Sequence, residues 1–180
     1  MKTIFIPGVT DGWDPVKKEF IQTKDTTITI EHSLISISKW ESIWQKPFLT
    51  QDQKTYEEII SYYKCMTLTQ NVDPDVYRTI KKDVAEEITA YINNPMTATT
   101  VTHRKKGGSK DILTSEVIYW MMAANQIPFT CEKWHLNRLL MLLEVCSIKN
   151  APKDKMSKKE TLAQHRALNA ARRAKYHTNG

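Results

Sequence analysis

Cys131 and His135 come closest, by residue type and spacing, to a reactive site. They lie four positions apart in a segment that we predict to be helical, so both side chains would project from one face of the helix. A thiolate and an imidazole at this spacing could share a metal ion or act as a nucleophile and its base. A closed metal site needs further ligands and a nucleophile needs an orienting third group, and we find neither in the sequence. We therefore interpret the pair as a buried thiol beside an imidazole on the helix surface, and we predict no metal and no cofactor.

Two pairs of carboxylates, Glu57-Glu58 and Glu86-Glu87, could in principle perform acid–base chemistry. Both pairs lie in segments with the periodicity of amphipathic helices, and the solvated faces of such helices account for them. The sequence also lacks the serine elbow GxSxG, the phosphate-binding P-loop, the zinc motif HExxH and the glycine fingerprint of dinucleotide-binding folds. We predict that the protein is not an enzyme.

The cysteine and histidine belong to a pair of predicted helices that has the most apolar surface to bury. Thr114 caps the first helix, which Pro128 ends, and Thr130 caps the second. The second helix has an apolar stripe at spacings of three and four residues, widened by three more apolar residues: Leu136, Leu139, Leu140, Leu143 and Cys146, with Met141, Leu142 and Val145. The two helices would form an αα-hairpin whose outer faces need a partner, either from this chain or from a second copy.

The first forty-odd residues favour β-structure. Polar and apolar residues alternate over 27–30, and the apolar pattern continues through Leu34, Ile35 and Ile37, as in a half-buried strand. A short helix over 38–44 would place Trp40 and Trp44 on one face. We predict an α+β fold, mainly α, with a globular domain at 1–150 that is β-rich over 1–45 and helical over 50–150, and a basic helical tail at 151–180.

Positive charge is concentrated in that tail. Of the 26 Lys and Arg and the 20 Asp and Glu residues, the tail contains eight and two, so it carries the whole formal net charge of +6 and the other 150 residues are neutral. Such a segment could bind nucleic-acid phosphates or an assembly partner, or could be a solvated helix. A basic loop at 102–111 would add a second contact. The predicted contact residues are Arg104, Lys105, Lys106, Lys158, Lys159, Arg166, Arg172, Arg173 and Lys175.

Five tryptophans could stack on bases, but such residues more often fill a core or an interface. The residues that we predict for core or interface positions are Trp40, Trp44, Trp134, Arg138 and Leu139. No apolar run approaches the roughly 20 residues that a membrane-spanning helix needs, and we expect no membrane partner. The N-terminus is a poor signal peptide, so we expect a cytoplasmic protein with reduced cysteines.

Three segments together carry a family resemblance: EHSLISISKWESIWQKPFL (31–49), IPFTCEKWHLNRLLMLLEVCSIKN (127–150) and MSKKETLAQHRALNAARR (156–173). They resemble small proteins encoded in the structural gene clusters of tailed bacteriophages, a group similar to tail assembly chaperones. The resemblance implies a non-enzymatic role in virion assembly in the host cytoplasm, with the tape measure protein, the tail tube protein or other virion subunits as partners. It carries over no site residue. The basic tail fits a structural virion protein of the head, connector or tail equally well, with DNA or neighbouring subunits as its contacts.

Overall fold

The structure is a computed structural model that describes residues 1–14, 18–50, 53–101, 112–151 and 158–176, with the backbone alone described at 14 and 158–161. The fold is α+β and mainly α, which confirms the predicted class. Its strands are β1 (Lys2–Ile6), β2 (Val9–Asp14), β3 (Glu19–Thr23) and β4 (Thr26–Ile30). Its α-helices are α1 (Leu34–Trp44), α2 (Tyr56–Met66), α3 (Lys82–Asn93), α4 (Ser115–Ala124), α5 (Leu136–Asn150) and α6 (Lys158–Tyr176), with 3₁₀ helices at Pro74–Thr79 and Phe129–Lys133.

The strands form two antiparallel pairs. β1 pairs with β4. Because successive side chains of a strand point to opposite faces, Ile4, Ile6, Ile28 and Ile30 all point into the core. β2 and β3 form a separate pair whose register shifts between Val9 and Gly12. The β-region therefore contributes one apolar face to the helical core.

The predicted strand over Leu34, Ile35 and Ile37 is wrong, because these residues belong to α1. Ser33 and Ser36 form a reciprocal capping box, in which each side chain accepts a hydrogen bond from the other residue's backbone amide. The cap begins the helix at Leu34, and Leu34 and Ile37 then fall on the buried face of α1, whereas Ile35 is only partly buried. The β-rich segment therefore ends at Ile30 and not near residue 45.

α1 and α2 pack against each other around Trp40, which is fully buried. The Trp40 indole Nε1 donates a hydrogen bond of 2.9 Å to the carbonyl oxygen of Glu58, so its one polar atom is satisfied inside the core. Phe48 packs edge-on against Trp40, with 5.1 Å between ring centroids, and extends the same cluster toward Tyr62. This aromatic cluster fixes how the first two helices meet.

Both helices predicted for 114–150 form, and Thr114 caps α4 as expected. The predicted Thr130 cap is wrong: 129–133 forms a 3₁₀ helix, and α5 begins only at Leu136. A distant segment fixes that start, because the Leu136 amide donates to the His32 carbonyl at 2.8 Å and His135 forms a β-bridge with Ser33. α4 packs on α1 and on the 3₁₀ helix.

The chain divides into two compact units, Met1–Ser147 and Ile148–Gly180. Among the described residues, none of the helices combines the length and the apolar character needed to cross a membrane. The predicted basic loop at 102–111 lies outside the residues that the structure describes.

Candidate protein-binding site on helix α5

The five predicted core or interface residues separate into three groups. Trp40 and Leu139 are fully buried, and Trp44 stacks on Trp40 with 6.2 Å between ring centroids. Trp134 is half-buried and Arg138 is exposed. Trp40 and Leu139 are therefore core residues, Trp44 and Trp134 are partly buried and pack against the core, and Arg138 lies at the surface of the first unit.

Arg138 lies over the indole ring of Trp134, with the guanidinium carbon 4.3 Å from the ring centroid. Trp134 is the first of the two residues that separate the 3₁₀ helix from α5, and its backbone is extended. Arg138 is in the first turn of α5. The stack holds a planar cation in place without removing it from solvent. Tryptophan and arginine are the residue types that most often dominate the binding energy of protein interfaces.

α5 has two apolar faces. Leu136, Leu139 and Leu143 are buried in the core, at spacings of three and four residues. At 100° per residue, Met141 and Val145 lie on the opposite face, in line with Arg138, and both are half-buried. Packing against the core accounts for the first of these faces, whereas the second face remains partly exposed.

A groove runs along this second face. One part has a volume of about 340 Å³ and is lined by Thr97, Thr99, Trp134, Arg138, Met141, Leu142 and Val145. A second part, of about 280 Å³, shares Thr97 and Met141 with the first and continues along α5 to Asn93, Pro95, Asn137, Leu140 and Glu144. Apolar and polar side chains both line the groove.

The wall of the groove is the end of α3 and the segment after it, and two side chains hold it, one from α5 and one from the residue just before α5. Asn137 Nδ2 donates to the carbonyl oxygens of Ile92 and Asn94, each at 2.9 Å. His135 Nε2 donates to the carbonyl oxygen of Tyr91 at 3.0 Å. The role of Asn137 in this wall could not be predicted from the sequence, because its partners lie more than forty residues away.

His135 is buried, so the interpretation of a surface imidazole is wrong. Its ring centroid lies 5.0 Å from that of His32, whose Nδ1 is 2.5 Å from the Tyr62 hydroxyl. Burial, together with the neighbouring His135, lowers the pKa of His32 to about 3. Burial also lowers the pKa of His135. Both imidazoles are therefore neutral parts of the core at physiological pH.

Cys131 and His135 do not share a helix, because Cys131 lies in the 3₁₀ helix and His135 in the link before α5. Their helical spacing therefore has no structural meaning. Among the described residues, no group of three or more histidine, cysteine or acidic side chains could hold a metal ion.

Glu58 is fully buried, so the prediction of a solvated Glu57-Glu58 pair is wrong for this residue. Lys46 Nζ donates to Glu58 Oε1 at 2.7 Å, and the Thr55 amide donates to Oε2 at 2.7 Å. The hydrogen bond from Lys46, followed by that from Thr55, lowers the pKa of Glu58 to about 2. The carboxylate therefore caps α2 and pairs with a lysine from the preceding segment.

The predicted contact residues of the tail lie on α6. Arg166, Arg172, Arg173 and Lys175 are exposed. Lys158 and Lys159 open the helix, but their side chains lie outside the described part of the chain, as do all of Arg104, Lys105 and Lys106. The structure thus brings four cations together on one helix.

Comparison of the chain with protein-family models, with curated proteins and with solved structures gave no match.

Proposed function

We propose that this protein is a non-enzymatic phage assembly protein, a tail assembly chaperone that acts through protein–protein contacts at the groove on α5. One observation carries the proposal: α5 presents a second apolar face, opposite its buried one, beside the Arg138–Trp134 stack. The resemblance of three segments to proteins of phage structural gene clusters supplies the biological setting, in the host cytoplasm.

The residues that line the groove indicate the chemistry that a partner would need. The apolar side chains of Met141 and Val145 favour a segment with aliphatic or aromatic anchors, and methionine adapts to anchors of different shape. The Arg138 guanidinium favours a carboxylate or a backbone carbonyl beside those anchors. We propose the tape measure protein or the tail tube protein of the same virus as this partner.

Co-expression with each of these two proteins tests the proposal. The double variant Met141→Glu/Val145→Glu places two charges in the groove without touching the buried stripe of α5. We expect its affinity for the partner to fall by at least about 10-fold, the loss typical of a central interface residue. The measurement is titration calorimetry with the purified partner.

The matched control is Ile43→Glu/Ile112→Glu, which makes the same chemical change at residues that are 62% and 59% exposed elsewhere on the first unit. The control variant should bind as the unchanged protein does. Equal loss in both variants, or no binding of either phage protein to the unchanged chain, would contradict the proposed groove.

A structural virion protein of the head, connector or tail is the second candidate function, with DNA or neighbouring subunits as its contacts. The exposed basic side chains of α6 favour it. The two candidates differ in one outcome: a chaperone leaves before the particle is complete, whereas a structural protein stays at a fixed copy number.

A further inference from the structure

α6 exposes every side chain that the structure describes in it, from residue 162 to residue 176. These fifteen residues contain Arg166, Arg172, Arg173 and Lys175 and no acidic residue. The whole helix has 19 residues and is therefore about 28 Å long. α6 is thus an extended rod of positive charge.

The positions of the arginines set the geometry of that charge. Arg166 and Arg173 are seven residues apart, which puts them on one face of α6 at a separation of about 10.5 Å along its axis. A neighbouring face has only small side chains, those of Ala163, Ala167, Ala170 and Ala174. A flat surface can therefore approach the helix closely while the two guanidinium groups reach it.

The apolar residues of α6 do not suit an apolar groove. A helix that docks in such a groove presents large anchors at spacings of three, four and seven residues. Leu162 and Leu168 are six residues apart and point in directions about 120° apart. The surface that α6 offers is therefore electrostatic, and arginine binds phosphate oxygens in a forked geometry.

We propose that α6 binds the sugar–phosphate backbone of double-stranded nucleic acid. A polyanion complements a helix that has four exposed cations and no acidic residue over 162–176. Single strands are bound largely by stacking on several aromatic rings, and this stretch has two, the imidazole of His165 and the ring of Tyr176, beside which Lys175 already lies. The inference does not rest on the chaperone role, because it concerns a different surface and a different partner.

The test uses the full-length chain and a fluorescent DNA duplex of mixed sequence that is longer than α6. Anisotropy is measured at about 50 mM and at about 200 mM salt. The test variant is Arg166→Gln/Arg172→Gln/Arg173→Gln, which keeps residues of good helix propensity. The control variant is Lys24→Gln/Lys81→Gln/Lys82→Gln, which removes the same charge from exposed positions on the first unit.

Each phosphate contact contributes about 0.9 to the slope of the logarithm of affinity against the logarithm of salt concentration. The two contacts of Arg166 and Arg173 on one face of α6 predict a loss of affinity of about 12-fold between the two salt concentrations. With both contacts removed, little of this salt dependence remains, and binding at low salt is much weaker. The control variant should behave as the unchanged chain.

Three results would overturn the proposal. The first is no binding of the duplex at low salt. The second is an equal loss in the test and control variants, which would show that net charge alone acts. The third is tighter binding of poly-glutamate than of the duplex, which would assign α6 to an acidic protein surface. Circular dichroism of the test variant checks that its helix content is unchanged.

Discussion

Glu41 connects two helices at the scale of a single side chain. It lies in α1 and is almost fully buried. Its Oε1 accepts a hydrogen bond from the Phe48 amide and its Oε2 accepts one from the Ser115 amide, both at 2.8 Å. Since Ser115 is the first residue of α4, this carboxylate ties α1 to the start of a helix 74 positions further along the chain.

Glu41→Gln should therefore destabilise the fold by about 1–3 kcal/mol, because a neutral amide offers one acceptor oxygen to two buried N–H donors. Urea unfolding measures the change. Glu87→Gln is the control, since its exposed surface pair with Lys2 should contribute about 0–1 kcal/mol. Equal stability of the Glu41 variant and the unchanged protein would show that neither hydrogen bond matters.

His32 and His135 form the second arrangement that acts at the residue scale. The pKa values of both are lowered in the folded protein, mainly by burial. An unfolded histidine has a pKa of about 6.5, so the unfolded state takes up protons first as the pH falls. The stability from the neutral imidazoles is present above about pH 6.5 and is lost as the pH falls toward the folded pKa values.

The free energy of unfolding should fall between about pH 6.5 and 5 by up to about 1.4 kcal/mol per pH unit for each histidine. Urea titrations at several pH values measure this slope. His32→Asn should reduce the slope, whereas His165→Asn, at an exposed position on α6, should leave it unchanged. A free energy that is constant over this range would contradict the description of a neutral buried pair.

At the scale of elements, the two faces of α5 have different roles. The inner face stabilises the fold, and the outer face lines the proposed binding groove. Leu139, on the inner face, is fully buried, whereas Met141, on the outer face, is half-buried and lines the groove. The two residues are close in sequence, so their different roles come from the direction in which each side chain points.

Leu139→Ala should cost about 2–5 kcal/mol of stability, because it leaves a cavity in the core. Met141→Ala should cost about 1 kcal/mol or less, because much of its surface is already exposed. Urea unfolding compares the two variants directly. If Met141→Ala destabilises the protein as strongly as Leu139→Ala, the outer face of α5 is part of the core.

Elements with local signals could be predicted from the sequence. Thr114 caps α4 as expected, because a cap depends on residues three positions away. The start of α1 does not follow from the apolar pattern, since Leu34, Ile35 and Ile37 fit a strand and a helix alike. The Ser33–Ser36 capping box decides between them. The start of α5 could not be predicted, because it depends on the His32 carbonyl.

The site shows the same limit. The sequence shows Met141 and Val145 only as a widening of the apolar stripe of one helix, and the structure shows that they lie opposite its buried residues. The groove wall could not be predicted, because it depends on hydrogen bonds from Asn137 to a segment more than forty residues away. Glu58 is predicted to be solvated in its amphipathic helix, but hydrogen bonds from Lys46 and from the Thr55 amide allow its carboxylate to be buried.

At the scale of the whole molecule, the net positive charge and the apolar groove lie in different parts of the chain. The first 150 residues are formally neutral and include the groove on α5, while residues 151–180 carry the net charge of +6 and include α6. Such a division suits a protein that meets one partner through apolar contacts and another through electrostatic ones.

Mass spectrometry of purified virions, with copy number, tests the proposed chaperone role most directly. We predict that the protein is absent from finished particles and that, in infected cells, it is recovered in complex with the tape measure or the tail tube protein. A fixed copy number in every purified particle would contradict the chaperone role and identify a structural component of the virion.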